Sequence, residues 1–305
     1  MPTREQPELE STRRRSYLVA GQPLEAKPLA AGLYVVATPI GNLGDITLRA
    51  LETLAAADLI ACEDSRVTRK LCERYQLAAP LTPYHDHNAA TARPQILRRL
   101  AAGQAVALVS DAGTPLVSDP GYKLVRAAQA DGHPVIAVPG ASAVLAALTV
   151  AGLPTDRFFF GGFLPSKPSA RDKRIAEFAT LPATVVLFEA GSRIADTLGL
   201  LAQRLGRRDV AICRELTKLH EDVRRGDLSD LAEHWASDSE VRGEFVIVIA
   251  PAEEAAPMDE EVDGMLRRAL AGASVKEAVA AVAAATGQSR RHIYQRALAL
   301  KNDAP

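Results

Sequence analysis

Apolar positions along this chain fall into short runs rather than long stripes, and the early runs end in turns rich in glycine and proline. Val106, Ala107, Leu108 and Val109 form one such run, unbroken as in a strand buried on both faces. It stops at Ser110, Asp111, Ala112, Gly113, Thr114 and Pro115, which bring bare backbone and two hydroxyls beside one carboxylate. Ser118, Asp119 and Pro120 then predict a helix start, with Ser118 as N-cap, before Leu124, Val125 and Ala128 recur at helical spacing and Gly132 ends the pattern. A second strand, 135–138, ends at Pro139 and Gly140, and Ala141, Ser142 and Ala143 open a helix of small residues. A third, 34–37, runs through a loop over 38–44 into a helix capped by Asp45, with Leu48, Leu51 and Leu54 on one face. Singly, each is an ordinary strand-to-helix turn. Together they mark a cleft, because ligands of open α/β sheets sit beyond the carboxyl ends of the strands.

The same alternation organises the chain. Predicted strands at 33–37, 58–62, 81–84, 105–109 and 134–138, separated by helical patterns, specify a mostly parallel sheet domain over 33–153. Residues 154–251 are richer in strands (157–161, 184–188, 210–214, 221–227 and 245–249), with helices near 171–179 and 192–205, which predicts a mixed-sheet α/β domain. Residues 252–258 read as a linker, and 259–305 as a helical extension with Ser274 and Ser289 as N-caps and Gly272 and Gly287 as stops. The turn before the last helix resembles a helix-turn-helix, with Arg290, Arg291, His292 and Arg296 where a recognition helix meets nucleic acid. A packed helical hairpin with a solvated basic face reads equally well. Residues 1–27 are polar, carry Arg13, Arg14 and Arg15 together and lack the apolar core of a signal peptide, and 1–32 reads as a flexible arm.

Composition narrows the classes. At 305 residues and 48 % hydrophobic content the chain can fill two cores. With 36 basic against 37 acidic residues it is no general polycation, so any binding of a polyanion falls to a local basic face. Cys62, Cys72 and Cys213 show neither metal-ligand nor disulfide-framework spacing, which suits small buried hydrophobes in a reducing cytoplasm. The most apolar window, 134–154, is interrupted by Pro139, Gly140, Ser142 and Gly152 and is too broken to span a membrane. The loop over 38–44 lacks the dinucleotide fingerprint and the Lys-Ser/Thr of a P-loop, so a smaller and less anionic ligand than a polyphosphate is expected.

The segments ATPIGNLGDITLRA, LIACEDSR, VALVSDAGTP, VPGASA and GFLPSKPSAR, in this order and separation, resemble the ribosomal RNA small subunit methyltransferase I family, within the tetrapyrrole-methylase superfamily. The resemblance covers about 33–251 and continues into the helical tail. It implies a two-domain tetrapyrrole-methylase-like fold and S-adenosylmethionine-dependent 2′-O-methylation of a cytidine ribose in the decoding centre of small-subunit rRNA. It also implies a cytoplasmic, homodimeric enzyme acting on the rRNA or the assembled subunit, with no DNA or membrane partner. By motif position, cofactor contacts are expected at Pro39, Ile40, Val109, Ser110, Asp111, Thr114, Ser142 and Ala143, with Phe188, Glu189, Leu216 and Gly226 closing the cleft from the second domain. The loop Thr38-Pro39-Ile40-Gly41-Asn42 departs from the superfamily's Gly-Pro-Gly-Asp form.

A ribose hydroxyl is a poor nucleophile and calls for a base or an orienting acceptor. Candidates are Asp64 in CEDSR, Glu215 and Lys218 in RELTKLHED, and His85 and His87 in YHDHN; none is singled out, and Asp64 and Arg66 also suit a simple pair. His85 and His87 lack an evident third ligand, so no metal is expected. Lys167, Arg171, Lys173 and Arg174, beside Phe163 and two prolines in a loop over 162–174, are the candidate RNA-binding side chains, with Arg290 and Arg291 in the tail and Arg224 and Arg225 extending that face. Two other classes stay open: a tetrapyrrole C-methyltransferase, and a non-catalytic RNA-binding assembly factor on the same fold.

Overall fold

In the computed structural model, which describes residues 15–236, 241–252 and 259–302, the predicted alternation becomes two five-stranded sheets. The chain begins with a hairpin of β1 (Ser16–Val19) and β2 (Gln22–Glu25), paired antiparallel through a tight turn at Ala20 and Gly21. This corrects the expectation of a flexible arm for the described part of 1–32. Tyr17 is buried in the first core, and the Arg15 guanidinium bonds the Asp58 carboxylate at 2.6 Å and the Ala56 carbonyl at 2.8 Å. Arg13 and Arg14 lie outside the described residues.

The first sheet comprises β3 (Gly32–Val36), β4 (Leu59–Cys62), β5 (Leu81–Pro83), β6 (Ala105–Val109) and β7 (Val135–Val138), all parallel in the order β5-β4-β6-β3-β7. Its crossovers are α1 (Leu48–Ala56), α2 (Ser65–Tyr75), α3 (Ala89–Ala101) and α4 (Tyr122–Ala130), and α5 (Ala143–Ala151) follows β7. Alternate strand residues face opposite layers. Val36, Ile60, Ala107 and Val109 pack with Leu51 and Leu54 of α1, whereas Leu33, Ala61, Val106 and Leu108 pack with Ile96 of α3 and Leu124 of α4. Burying Leu51 or Leu54 contributes at most about 1.5–3 kcal/mol each. Leu48, expected on that same face, is exposed, because α1 is capped by Thr47 rather than Asp45 and Leu48 is its first residue. Ser118 likewise does not cap α4: Gly121 precedes the helix, and Ser118 sits in a left-handed turn with φ of 65°.

The second sheet comprises β8 (Phe158–Phe163), β9 (Thr184–Ala190), β10 (Asp209–Arg214), β11 (Asp222–Asp227) and β12 (Glu244–Ile249), in the order β11-β10-β12-β9-β8. Only β8 and β9 are parallel. On one face lie α6 (Pro168–Phe178), α7 (Ile194–Leu205) and α8 (Leu228–Ala236), the last unread from the sequence; Phe178, Leu201 and Trp235 bury against Leu187, Ile212 and Ile247. The other face is covered by α5, whose Val144, Ala147, Leu148 and Ala151 pack against Val186, Ala211, Cys213 and Val246. The expected boundary at 153 therefore divides the chain but not the core, and residues up to Pro251 form one compact unit. All three cysteines are free and buried, as small hydrophobes would be.

From Ala252 the chain forms a separate unit. Residues 253–258 of the expected linker lie outside the described residues. Three helices follow, α9 (Asp259–Leu270), α10 (Val275–Thr286) and α11 (Arg290–Asn302), burying Val262 and Leu266, Val279 and Val282, and Ile293 and Ala297. Ser274 and Glu277 form a reciprocal capping box, and Gly287 ends α10 in the left-handed conformation. Arg296 faces inward: its guanidinium bonds Asp263 at 2.8 and 2.9 Å and pairs with Asp259, fastening α11 to α9. It is a structural residue of the bundle, unlike the basic start of the helix with which the sequence grouped it.

Candidate active site

The parallel sheet delivers several loops to one edge, the carboxyl ends of its strands, and a cavity of about 430 Å³ opens there between the two sheets. The loop after β3 and the loop after β6 are joined by two backbone bonds, Thr38 N–H to the Gly113 carbonyl at 2.8 Å and Gly113 N–H to the Thr38 carbonyl at 3.0 Å. Gly113 has φ of 74°, and a Cβ there would stand 3.2 Å from Ile40 Cγ2. Only glycine allows that turn to close without strain. The Thr114 hydroxyl donates to the Ala141 carbonyl at 3.2 Å, and Ser142 caps α5, which ties the loop after β7 into the same wall.

Of the residues expected to contact a cofactor, Ile40, Asp111, Thr114, Ser142 and Ala143 line this cavity, as do Phe188, Glu189 and Leu216 from the second sheet. Val109 and Ser110 lie buried behind the wall, and Pro39 is not among the lining residues. Gly226 is also outside the lining: it pairs with Val210 inside the β10–β11 ladder. Phe188 meets Phe160 and Phe163 edge-on, with ring centroids 4.9 and 5.6 Å away, making an aromatic wall. The Glu189 carboxylate is buried and accepts from the Thr197 hydroxyl at 2.7 Å and the Ala190 N–H at 2.9 Å, with Arg193 at 3.4 Å.

The three candidate catalytic residues separate. Asp64 caps α2 and takes Arg66 through bonds of 2.6–3.1 Å, so its hydrogen bonds to Arg66 hold its carboxyl down at about 2. Glu215 does not line the cavity, but it accepts Lys218 Nζ at 2.9 Å and the Glu244 N–H at 2.8 Å. Lys218 does line it, and its ammonium also bonds Glu244 at 2.9 Å. Burial alone would lower Lys218, but the bonds to the two carboxylates outweigh it and hold its pKa above the ordinary value. Burial likewise opposes, and the Lys218 bond overcomes, so that Glu215 is lowered. The two carboxylates thus favour the charged form of Lys218. Backbone strain accompanies this clamp: Glu215 and Thr217 have φ of 51° and 67°.

Sequence reasoning missed Glu63, Asp119 and Glu244, all of which line the cavity. Glu63 carried a signal, since it is the first residue past a strand that ends at Cys62. Burial, then Asp119 and Asp111, push its carboxyl upward, and burial also raises Asp111 and Asp119. The His85 and His87 rings meet edge to face with centroids 6.0 Å apart, and among the described residues no group of three or more His, Cys, Asp or Glu is placed to hold a metal.

The expected basic loop over 162–174 is only part loop, because Pro168 starts α6. Lys167 and Lys173 are exposed, and Arg171 is half-buried. Arg174 is engaged locally, 2.6 Å from Glu177 and stacked over Phe159 and Phe178. Arg225 Nε bonds the α5 carbonyls of Val150 and Ala151 at 3.0 and 3.2 Å, and Arg224 bonds Asp222 at 2.7 Å. Both are thereby occupied within the fold.

Residues 32–232 match the family model for tetrapyrrole (corrin/porphyrin) methylases, and residues 256–301 match that of the RsmI C-terminal HTH domain. A ribosomal RNA small subunit methyltransferase I from Mesorhizobium japonicum is 48 % identical over 286 residues, 93 % of this chain and 97 % of the relative. One from Bacillus subtilis is 38 % identical, over 86 % of this chain and 92 % of the relative. The chain belongs to the ribosomal RNA small subunit methyltransferase I family. It is thus a methyltransferase of the tetrapyrrole-methylase superfamily, and the fold agrees. A cobalt precorrin-4 methyltransferase superposes with a TM-score of 0.54 at 18 % identity, covering 72 % of this chain and 94 % of that one. Diphthine synthase gives 0.55 at 17 % identity over 72 % and 89 %. No helix among the described residues of this family member is long and apolar enough to cross a membrane.

Proposed function

We propose that the protein methylates the 2′-oxygen of a cytidine ribose in small-subunit rRNA, using S-adenosylmethionine, in the cytoplasm and as a homodimer. The observation that carries this is the family membership along nearly the whole chain, including the helical unit shared with relatives named for ribosomal RNA. The cavity suits the cofactor. Its walls are largely apolar and carry the rings of Phe163 and Phe188, and Asp111 and Asp119 from the first sheet favour a cationic sulfonium over a polyphosphate. A fold neighbour, the uroporphyrin-III C-methyltransferase of Thermus thermophilus, has been solved complexed with S-adenyl homocysteine. When bound, the cofactor supplies an electrophilic methyl group.

The chain's residues then divide the remaining work. Ile40, Asp111, Thr114, Ser142 and Ala143 hold the cofactor from the first sheet, and Phe188, Glu189 and Leu216 close on it from the second, excluding water. Lys218 uses two of its three N–H donors on Glu215 and Glu244 and presents the third to the RNA. Lys167, Arg171 and Lys173 on one unit, and Arg290 and Arg291 on the other, supply phosphate contacts. The test is transfer of labelled methyl to small ribosomal subunits from a strain lacking the enzyme, with nuclease mapping. Label in 2′-O-methylcytidine is expected; binding of cofactor without label in RNA overturns the reading. Light scattering tests the dimer, which a monomeric mass at micromolar concentration removes.

A further inference from the structure

Two adjacent acids end β4, and they have opposite fates. Asp64 turns to Arg66 and the start of α2, where three side-chain contacts and a backbone N–H consume it. Glu63 lines the cavity instead, and its carboxylate receives the Asp111 backbone N–H. A carboxylate has about four lone-pair sites, so Glu63 keeps acceptor capacity toward the cleft. Asp119, which also lines the cavity, is the rival acceptor that the experiment below separates; four further carboxylates at or beside the cavity have fixed partners. Glu189 is spent on Thr197 and the Ala190 N–H, Glu244 and Glu215 clamp Lys218, and Asp111 accepts the Asp64 N–H at 2.9 Å, which locks the loops after β4 and β6 together.

We propose that Glu63 is the catalytic group that accepts the proton of the acceptor ribose hydroxyl, in the cavity that Lys218 lines from the second sheet. This rests on the function proposed above. The 2′-oxygen forms its bond to the methyl carbon as the carbon–sulfur bond breaks with its electron pair left on sulfur. The hydroxyl proton passes to a Glu63 oxygen, and the neutral acid returns it to solvent after release. Asp111 and Asp119 from the loop after β6 and Asp86 from the loop after β5 act on Glu63 with one sign, while the Lys218 cation, held by Glu215 and Glu244, lines the same cavity from the second sheet. Partial burial and the repulsion of the three acids raise the proton affinity of Glu63, as a base working near neutrality requires.

The experiment compares the wild type, E63Q and E63D in single-turnover methyl transfer to unmodified small subunits across pH, with calorimetry of cofactor binding and thermal melts. E63Q should lose about a hundredfold or more in rate while binding cofactor within about threefold of wild type, and its residual rate should lack the acid limb. E63D keeps a carboxylate and should retain that limb at a lower plateau, which separates lost chemistry from lost folding. Carbon-13 NMR of the glutamate δ-carboxyls provides a readout independent of turnover: the resonance missing in E63Q should titrate above the ordinary glutamates. The assignment is overturned by an E63Q rate near wild type, by an unchanged acid limb, by cofactor loss that matches the rate loss, or by transfer of the whole phenotype to D119N. A wild type that puts no label in RNA fails the function proposed above, and this inference falls with it.

Discussion

The two sheets build one cavity by different means. In the parallel sheet every strand points its carboxyl end at the same edge, so the loops after β3, β4, β6 and β7 converge by topology and contribute backbone, hydroxyls and the acids Glu63, Asp111 and Asp119. The mixed sheet reverses direction between β9, β12 and β10, so strand ends of both kinds reach the site: the ends of β8, β9 and β10, the start of β12, and the β10–β11 turn. What it lacks in loops it replaces with a strained turn that fixes one cation between two carboxylates, and with the aromatic pair Phe163 and Phe188. In the function proposed above, proton acceptance and most of the cofactor's seat fall to the first wall, and the cation offered to the RNA to the second.

Substitutions that respect this division sharpen the comparison, and the largest effect belongs to the first wall. Gly113→Val places a β-branched side chain at φ of 74° and against Ile40, and should weaken cofactor binding about a hundredfold by calorimetry. Full affinity in that variant would mean that the joined loops are not the cofactor's seat. Lys218→Met should leave cofactor affinity nearly intact and reduce methyl transfer to RNA by about tenfold. It also has a stability signature. Glu215 is lowered, so its share of the clamp is present at neutral pH and is lost as pH falls through its folded value; Lys218 is raised, so its share is lost only as pH rises through its own. The melting-temperature gap between wild type and Lys218→Met should therefore be widest around neutrality and shrink at both extremes; a gap flat across pH would break the clamp argument.

Smaller effects lie away from the cavity. Lys167→Glu with Lys173→Glu should lower RNA affinity by about tenfold and flatten its salt dependence by about two phosphate contacts, sparing the cofactor. A salt slope equal to wild type would remove α6 from the RNA face. The smallest belongs to the helical unit, where Ser274→Ala removes the cap of α10 and should cost that unit about 1 kcal/mol in chemical denaturation, with no change in cofactor binding.

Periodicity in the sequence was enough for the parallel sheet, its strand ends and the three tail helices, because strands such as 105–109 are apolar throughout and helix ends such as Ser274 and Gly287 are marked by local backbone chemistry. Errors gathered where a local signal had a rival nearby. Thr47 took the cap expected of Asp45, and the hairpin of β1 and β2 was hidden because only packing of Tyr17 against distant helices makes it stable. The tail's basic cluster split the same way, with Arg296 drawn inward by acids 33 and 37 residues earlier in the chain. The site repeats the pattern. The sequence by itself determined which turns meet at the cavity, since those turns are written in contiguous glycines, prolines and hydroxyls. Tertiary structure alone decided which of two neighbouring acids faces the cleft and which cation is held there. Those outcomes depend on partners up to 48 residues away in the chain, Asp111 for Glu63 and Glu244 for Lys218, and no local pattern encodes a contact at that range.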